Sequence, residues 1–461
     1  MISWGISANS HDAALAVFSK DGLEFASHTE RFSGIKNDPH LNKEIINYAR
    51  QWGEPDEIIW YERPFRKTLR QLRAGQGWNY SENNIKRYLK SYGITAPVKY
   101  TSHHHSHAAA GYYTSPFRNA TIVCIDSIGE FETLTVWEGN GDKLKKVWSQ
   151  GYPNSVGLWY SAMTQRIGLK PNEDEYILMG WAAIGDPDRF KEQIWNDFFR
   201  PIKHSEPAVR LKHNLHRGCM WWAPELNSVQ DYADIAAGTQ AVYERIFRHY
   251  CNYIRTHTAS ENLVVMGGCA LNCVANSIAK EYFREVWIMP NPGDAGSSLG
   301  TILAAKNKFV HFNNPYLGYN ISGAYPVQSA LKELHSKRVV GVANGRAEFG
   351  PRALGNRSLF ADQRGNDIKH LVNQTKRRQE FRPFAPVILE EHASEYFDGP
   401  VGPFMQFTSV CLDPKGFPAI AHYDNTSRVQ TVNEYQHPKL HELLTRWYAD
   451  TGCPMLLNTS L

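Results

Sequence analysis

The sequence predicts an α/β protein of two to three domains, and three observations carry that prediction. Buried apolar strands recur directly before glycine turns and helices, as in residues 262–279, NLVVMGGCALNCVANSIA. Short turns join strands at the start of the chain, and amphipathic helices such as Leu41–Trp52 separate later ones. The 461 residues, 42% apolar and 12% aromatic, provide for large cores and argue against long disorder. Met1 opens on a strand rather than a signal peptide, and no apolar run is long enough to span a bilayer. Seven cysteines at irregular spacing make no disulfide framework, and Cys269 and Cys273 have no second pair with which to form a zinc knuckle. The expectation is a cytoplasmic protein without a membrane partner.

Residues 3–9 and 13–18 form a strand pair around the turn Ser10-His11-Asp12, and Gly22 leads into a third strand, LEFASHTE. The helix Leu41–Trp52 and the strand EIIWYE come next. A basic segment follows: Arg63, Arg66, Lys67, Arg70 and Arg73, then Trp78, Tyr80, Lys86, Arg87 and Lys90. Such a run is ordinarily a solvated helix face. Cations interleaved with aromatics also make nucleic-acid surfaces.

Residues 102–117, SHHHSHAAAGYYTSPF, read as a helix that carries chemistry. His103 and His107 share one face at i and i+4, where two imidazoles can bind one divalent ion. A lone histidine is more often a packed core residue, but four within five residues are hard to explain by packing. His104 and His105 are the weaker ligand candidates. Two carboxylates complete the set. The strand TIVCIDSIGE runs into Asp126 before the turn at Gly129, and NPGDAGSSLG places Asp294 in a small-residue loop opening a helix. Either aspartate alone would read as a cap or turn residue. Two His with two Asp suit iron(II), manganese or zinc better than magnesium, which prefers oxygen shells.

Residues 157–169 and 173–187 read as helical, and residues 190–230 as loops. Gly267-Gly268, between a strand and a helix N-terminus, lets backbone amides approach a nucleotide. The first domain is expected to span 1–310 and the second 311–461. In the second, Arg346, Glu348, Arg352 and Arg357 fall in a stretch too glycine-rich for regular structure. Lys376, Arg382 and Arg428 add to the cations, and the arginine forks among them suit bidentate capture of phosphate.

Five segments in order, at 103–107, 126–130, 267–272, 293–296 and 350–358, resemble the O-carbamoyltransferases that modify nodulation factors, cephamycin and tobramycin. The resemblance covers nearly the whole chain. It implies an actin-like ATPase domain of the Kae1 type followed by a YrdC-like, carbamoyladenylate-forming domain. By the same resemblance His11 is the base, with Asp12 and Lys36 in the catalytic set. Gly129, Glu130, Gly267, Gly268, Asn272, Gly293 and Gly296 lie at the nucleotide, and Arg346, Arg352, Lys376, Arg382 and Arg428 at the site forming the adenylate. ATP, with Mg2+, and carbamoyl phosphate are the implied substrates, and iron is the preferred resident ion. The implied acceptor is a hydroxyl group of a small molecule or, as with viral members, of a hydroxymethylated DNA base such as 5-hydroxymethylcytosine. A tRNA threonylcarbamoyladenosine-type enzyme shares both folds but not the fused order with the Gly-Pro-Arg-Ala-Leu-Gly segment. Two departures stand out: Ile177 and Ala183 replace the family's Lys and Pro, and the chain stops at LLNTSL, where relatives continue, so the second domain is expected to be incomplete.

Overall fold

The computed structural model describes residues 1–378 and 384–461. Its first two thirds use one sheet plan twice. Strands β1 (Ser3–Ser7), β2 (Ala14–Phe18) and β3 (Leu23–His28) form an antiparallel meander. Two further strands, β4 (Glu57–Trp60) and β5 (Val98–Tyr100), add in parallel on the other side of β1, giving the order β3-β2-β1-β4-β5. The second meander is β6 (Asn119–Gly129), β7 (Glu132–Asn140) and β8 (Lys143–Gly151). With β9 (Asn262–Met266) and β10 (Glu285–Trp287) parallel to β6, the order β8-β7-β6-β9-β10 repeats the first.

Helices α1 (Glu30–Ser33) and α2 (Lys43–Ala49) follow β3, and α3 (Pro64–Arg73) and α4 (Ile85–Lys90) follow β4. Helix α5 (His103–Thr114) joins the two sheets. Between β8 and β9 lie α6 (Val156–Arg166), α7 (Glu175–Ala182), α8 (Pro187–Phe198) and α9 (Val229–His257), after which α10 (Cys273–Ile278) and α11 (Ser297–Lys306) complete the repeat. Helices α5 and α11 pack on each other between the sheets, and Ala108, Ala109 and Ala110 share a core with Ile122, Val264, Leu299 and Ile302. The approach is close enough that a Cβ on Gly300 would sit 2.0 Å from the Ser106 carbonyl oxygen. The small residues after His107 therefore bring the histidine helix tight against the loop that carries Asp294.

Beyond α11, β11 (Tyr316–Ile321) pairs with β13 (Gly345–Glu348). Strands β12 (Val339–Ala343), β14 (Arg357–Ala361), β15 (Ala385–Leu389), β19 (Gln430–Val432) and β20 (Met455–Ser460) form a third sheet, ordered β12-β14-β20-β15-β19. A small ribbon of β16 (Phe397–Asp398), β17 (Ser409–Cys411) and β18 (Thr426–Ser427) flanks it. The chain ends on β20, which is hydrogen-bonded on both sides.

Three expectations need correction. Strand β6 does not stop at Asp126 but continues to Gly129 through a register break after Ile125. The stretch expected to be irregular contains two strands, with Arg346 and Glu348 in β13 and Arg357 in β14, because β11 and β12 supply partners that a local reading cannot see. Residues 190–198 belong to α8 rather than to loops, and Trp222 is buried in the core. All seven cysteines are free, and among the described residues no helix is long and apolar enough to cross a membrane.

Candidate active site

The repeat aims the carboxyl ends of its parallel strands at one crevice, the usual place for ligands in α/β sheets. His103 and His107 project from the first turns of α5 with their Nε2 atoms 3.1 Å apart. Asp126 Oδ2 lies 3.0 Å from His103 Nε2, and Asp294 Oδ1 lies 3.3 Å from both rings. The four ligand atoms fall within 4.8 Å of one another, and all four residues are buried. Burial disfavours every charge here, yet pairing wins. It holds the Asp126 and Asp294 carboxyls well below the usual range and raises both imidazoles, His103 most. Two imidazole nitrogens and two carboxylate oxygens converging at this separation fit a divalent transition ion.

The supporting shell is equally specific. Gly268 N–H donates to Asp126 Oδ1 (3.2 Å), leaving Oδ2 toward the histidines, and Ser297 Oγ lies 3.4 Å from His107 Nδ1. A Cβ on Gly129 would sit 2.1 Å from the His103 ring. His104 is bound instead to Thr135 Oγ1 at 2.9 Å, and burial lowers its pKa to about 3. His105 stacks on Trp137 at 5.1 Å, with burial taking its pKa to about 4.

Two predictions arise directly. Gly129→Ala should displace the His103 ring, weakening metal affinity by at least about tenfold in a metal titration and costing about 1–3 kcal/mol of stability in denaturant unfolding. Because Asp294 and Asp126 keep His103 protonated against the opposing effect of burial, metal binding should release protons. The apparent affinity should then climb as pH rises through and above the ordinary imidazole range, as unbuffered titration would register. A flat profile would show that the imidazoles are not ligands.

A cavity of about 450 Å³ opens from this cluster. His11, Asp12, Asp126 and Asp294 line it, together with Arg352, Arg378, Arg428 and Ser460. His11 is half-exposed, with Nε2 3.8 Å from Asp294 Oδ2. Asp12 takes a left-handed backbone conformation (φ 61°) and its Oδ1 accepts from His28 Nδ1 at 2.7 Å. His28 Nε2 in turn meets the Asn291 amide at 2.8 Å, which places the His28 proton on Nδ1. Burial raises the Asp12 carboxyl pKa, but His28 more than offsets this and leaves it below the usual range. Neither His28 nor Asn291 stood out in the sequence, because no spacing links positions so far apart. Lys36 reaches over the rim, within 3.5 Å of the Glu173 carbonyl and the Tyr176 hydroxyl.

Of the seven residues expected at the nucleotide, Gly268, Asn272 and Gly293 line the cavity. The other four act behind it. Gly267 and Gly296 permit backbone approaches, since a Cβ would fall 2.2 Å from the Ile125 oxygen and 1.9 Å from the Asn291 oxygen. Gly129 backs His103, and buried Glu130 accepts the Arg63 N–H at 2.7 Å. Among the arginines, Arg352 and Arg428 line the cavity, and the buried Nε of Arg428 has no hydrogen-bond partner among the described residues. Arg346 is a structural tie instead, its guanidinium donating at 2.5 Å to the carbonyls of Glu24 and Leu317. Lys376 donates to the carbonyl of Ser460, beside the cavity, and Arg382 lies outside the described residues. Ile177, at the position of the family's lysine, is buried away from the cavity, where Tyr176 and Met179 face it instead.

The carbamoyltransferase N-terminus family model matches residues 59–303, and the carbamoyltransferase C-terminus model matches residues 331–461. Nodulation protein U of Sinorhizobium fredii is 33% identical over 98% of this chain and 92% of its own length. An uncharacterised Synechocystis protein is 32% identical over 99% and 90%. The 3'-hydroxymethylcephem-O-carbamoyltransferase of Amycolatopsis lactamdurans is 25% identical over 98% and 91%. Among solved structures, full-length HypF in its phosphate- and nucleotide-bound form is a loose likeness, with a TM-score of 0.40 and 13% identity over 66% of this chain and 46% of that one.

Proposed function

The chain belongs to the O-carbamoyltransferase family, and from that premise we propose that it carbamoylates an alcohol, using carbamoyl phosphate and ATP by way of carbamoyladenylate. The observation that carries this reading is that one cavity is lined both by Arg352 and Arg428 and by His11, Asp126 and Asp294, so that groups suited to forming and to transferring an activated carbamoyl group share one enclosure.

In this reading residues 311–461 form the adenylate, as a YrdC-like unit, and residues 1–310 transfer it. The duplicated sheet supports an actin-like assignment for the latter. Arg352 and Arg428, with Arg382, hold phosphate oxygens while water cleaves carbamoyl phosphate to phosphate and carbamate, and a carbamate oxygen then bonds to the α-phosphorus of ATP as pyrophosphate leaves. The amides around Gly268 and Gly293 and the side chain of Asn272 receive the nucleotide. His103, His107, Asp126 and Asp294 would hold iron(II), or manganese or zinc, which supplies Lewis-acid polarisation and orients phosphate when bound. His11 takes the proton of the acceptor hydroxyl as its oxygen bonds to the carbamoyl carbon and AMP leaves. Asp12, aimed by His28, orients that hydroxyl.

The acceptor is a primary alcohol. A relative's name specifies a hydroxymethyl group on an unsaturated six-membered ring, and 5-hydroxymethylcytosine presents the same arrangement. The test is mass spectrometry of a hydroxymethylcephem and of DNA containing hydroxymethylcytosine, each incubated with enzyme, ATP and carbamoyl phosphate. Gain of one carbamoyl group with AMP formation supports the reading. No gain and no AMP with either acceptor would sink it.

A further inference from the structure

Helices α3 and α4 and their connection remain unused by this chemistry. Residues 63–92 carry eight Lys or Arg and a single acid, Glu82. Part of this charge is internal: Lys67 is buried, donating to Glu62 Oε1 at 2.5 Å and to the Asn9 carbonyl at 2.8 Å. Arg66, Arg73, Lys86 and Arg87 are exposed. Between the two helices the rings of Trp78 and Tyr80 stack on each other at 6.2 Å while remaining 55% and 51% exposed. A pair of large aromatics held in water beside exposed cations marks a surface on which something docks.

The surface leads toward the cavity. Lys67 anchors α3 to the turn that carries His11, and Arg66 lies 3.9 Å from Glu130, next to the glycine behind His103. On the other side the Arg217 guanidinium reaches Gly75.

We infer that this face docks single-stranded nucleic acid, with Trp78 and Tyr80 stacking on bases and the surrounding cations following the phosphates. A duplex would engage the cations but has no exposed base faces for the rings, so the exposed aromatic pair favours a single strand. The inference rests on the carbamoyl-transfer reading for its purpose, delivery of a base-borne hydroxyl to His11, but not for its test.

That test is anisotropy of a fluorescein-labelled oligothymidine titrated with the full chain at several salt concentrations. Binding should weaken linearly on logarithmic axes, with a slope of about 0.7 per phosphate contacted. A Trp78→Ala, Tyr80→Ala variant should bind at least about tenfold more weakly. Arg73→Ala, Arg87→Ala should instead flatten the salt slope. Neither pair lines the cavity, so AMP formation from ATP and carbamoyl phosphate with a small alcohol should be unchanged. Equal affinity for duplex and single strand, or an aromatic variant that binds as wild type, would overturn the inference. Heparin binding as tightly as the oligonucleotide, and as indifferently to the aromatic change, would do the same. Loss of small-alcohol turnover in the wild type would count against the proposed chemistry alone, leaving the binding result to stand by itself.

Discussion

A His103→Ala, His107→Ala double variant is expected to keep its fold and lose its divalent ion. Both rings are buried, and between them they supply half of the converging ligand atoms. Single changes behind a ligand already cost about 10–100-fold in affinity, so removing two ligands should cost more than about 100-fold. Metal analysis after desalting and far-UV circular dichroism give the two readouts. Full occupancy in a folded double variant would disprove the assignment. If instead the protein unfolds, Asp126→Asn supplies the same test. It keeps the Gly268 contact and roughly the same volume while removing one anionic donor.

The second large effect is expected at the arginines that line the cavity. Arg352→Ala and Arg428→Ala should remain soluble and lose carbamoyl-phosphate-dependent pyrophosphate release by about 10–100-fold each, the loss expected of a charge-assisted hydrogen bond to phosphate. Both side chains are partly exposed in the cavity, so packing should suffer little. Arg346→Ala makes the contrast. Its guanidinium ties β13 to carbonyls of the first sheet and of β11, so that change should lower the melting temperature and affect turnover less. Unchanged turnover in both cavity variants would move the donor site elsewhere.

How much of this was legible before the fold depended on whether a signal is local. The pair His103 and His107 could be read because a helix turns any i, i+4 spacing into a shared face. Asp126 and Asp294 could be read because a strand end and a small-residue loop announce themselves within a few positions. The five segments and their order were enough to indicate the carbamoyltransferase family, which the family models match over the two spans. The sheet duplication left no trace, because a strand position constrains burial and alternation far more than identity.

What tertiary structure alone decided is which residues face the cavity and which stand behind it. By sequence, Gly129, Glu130, Gly267 and Gly296 were indistinguishable from Gly268 and Gly293, and Arg346 from Arg352. The difference lies in partners tens to hundreds of residues away: Ile125 against Gly267, Asn291 against Gly296, Glu24 against Arg346. The bond from His28 to Asp12 depends likewise on Asn291, on the far side of the repeat. Chemical type and short spacing are written along the chain. Facing and pairing across sheets exist only once long-range packing has paid the entropy of bringing those segments together.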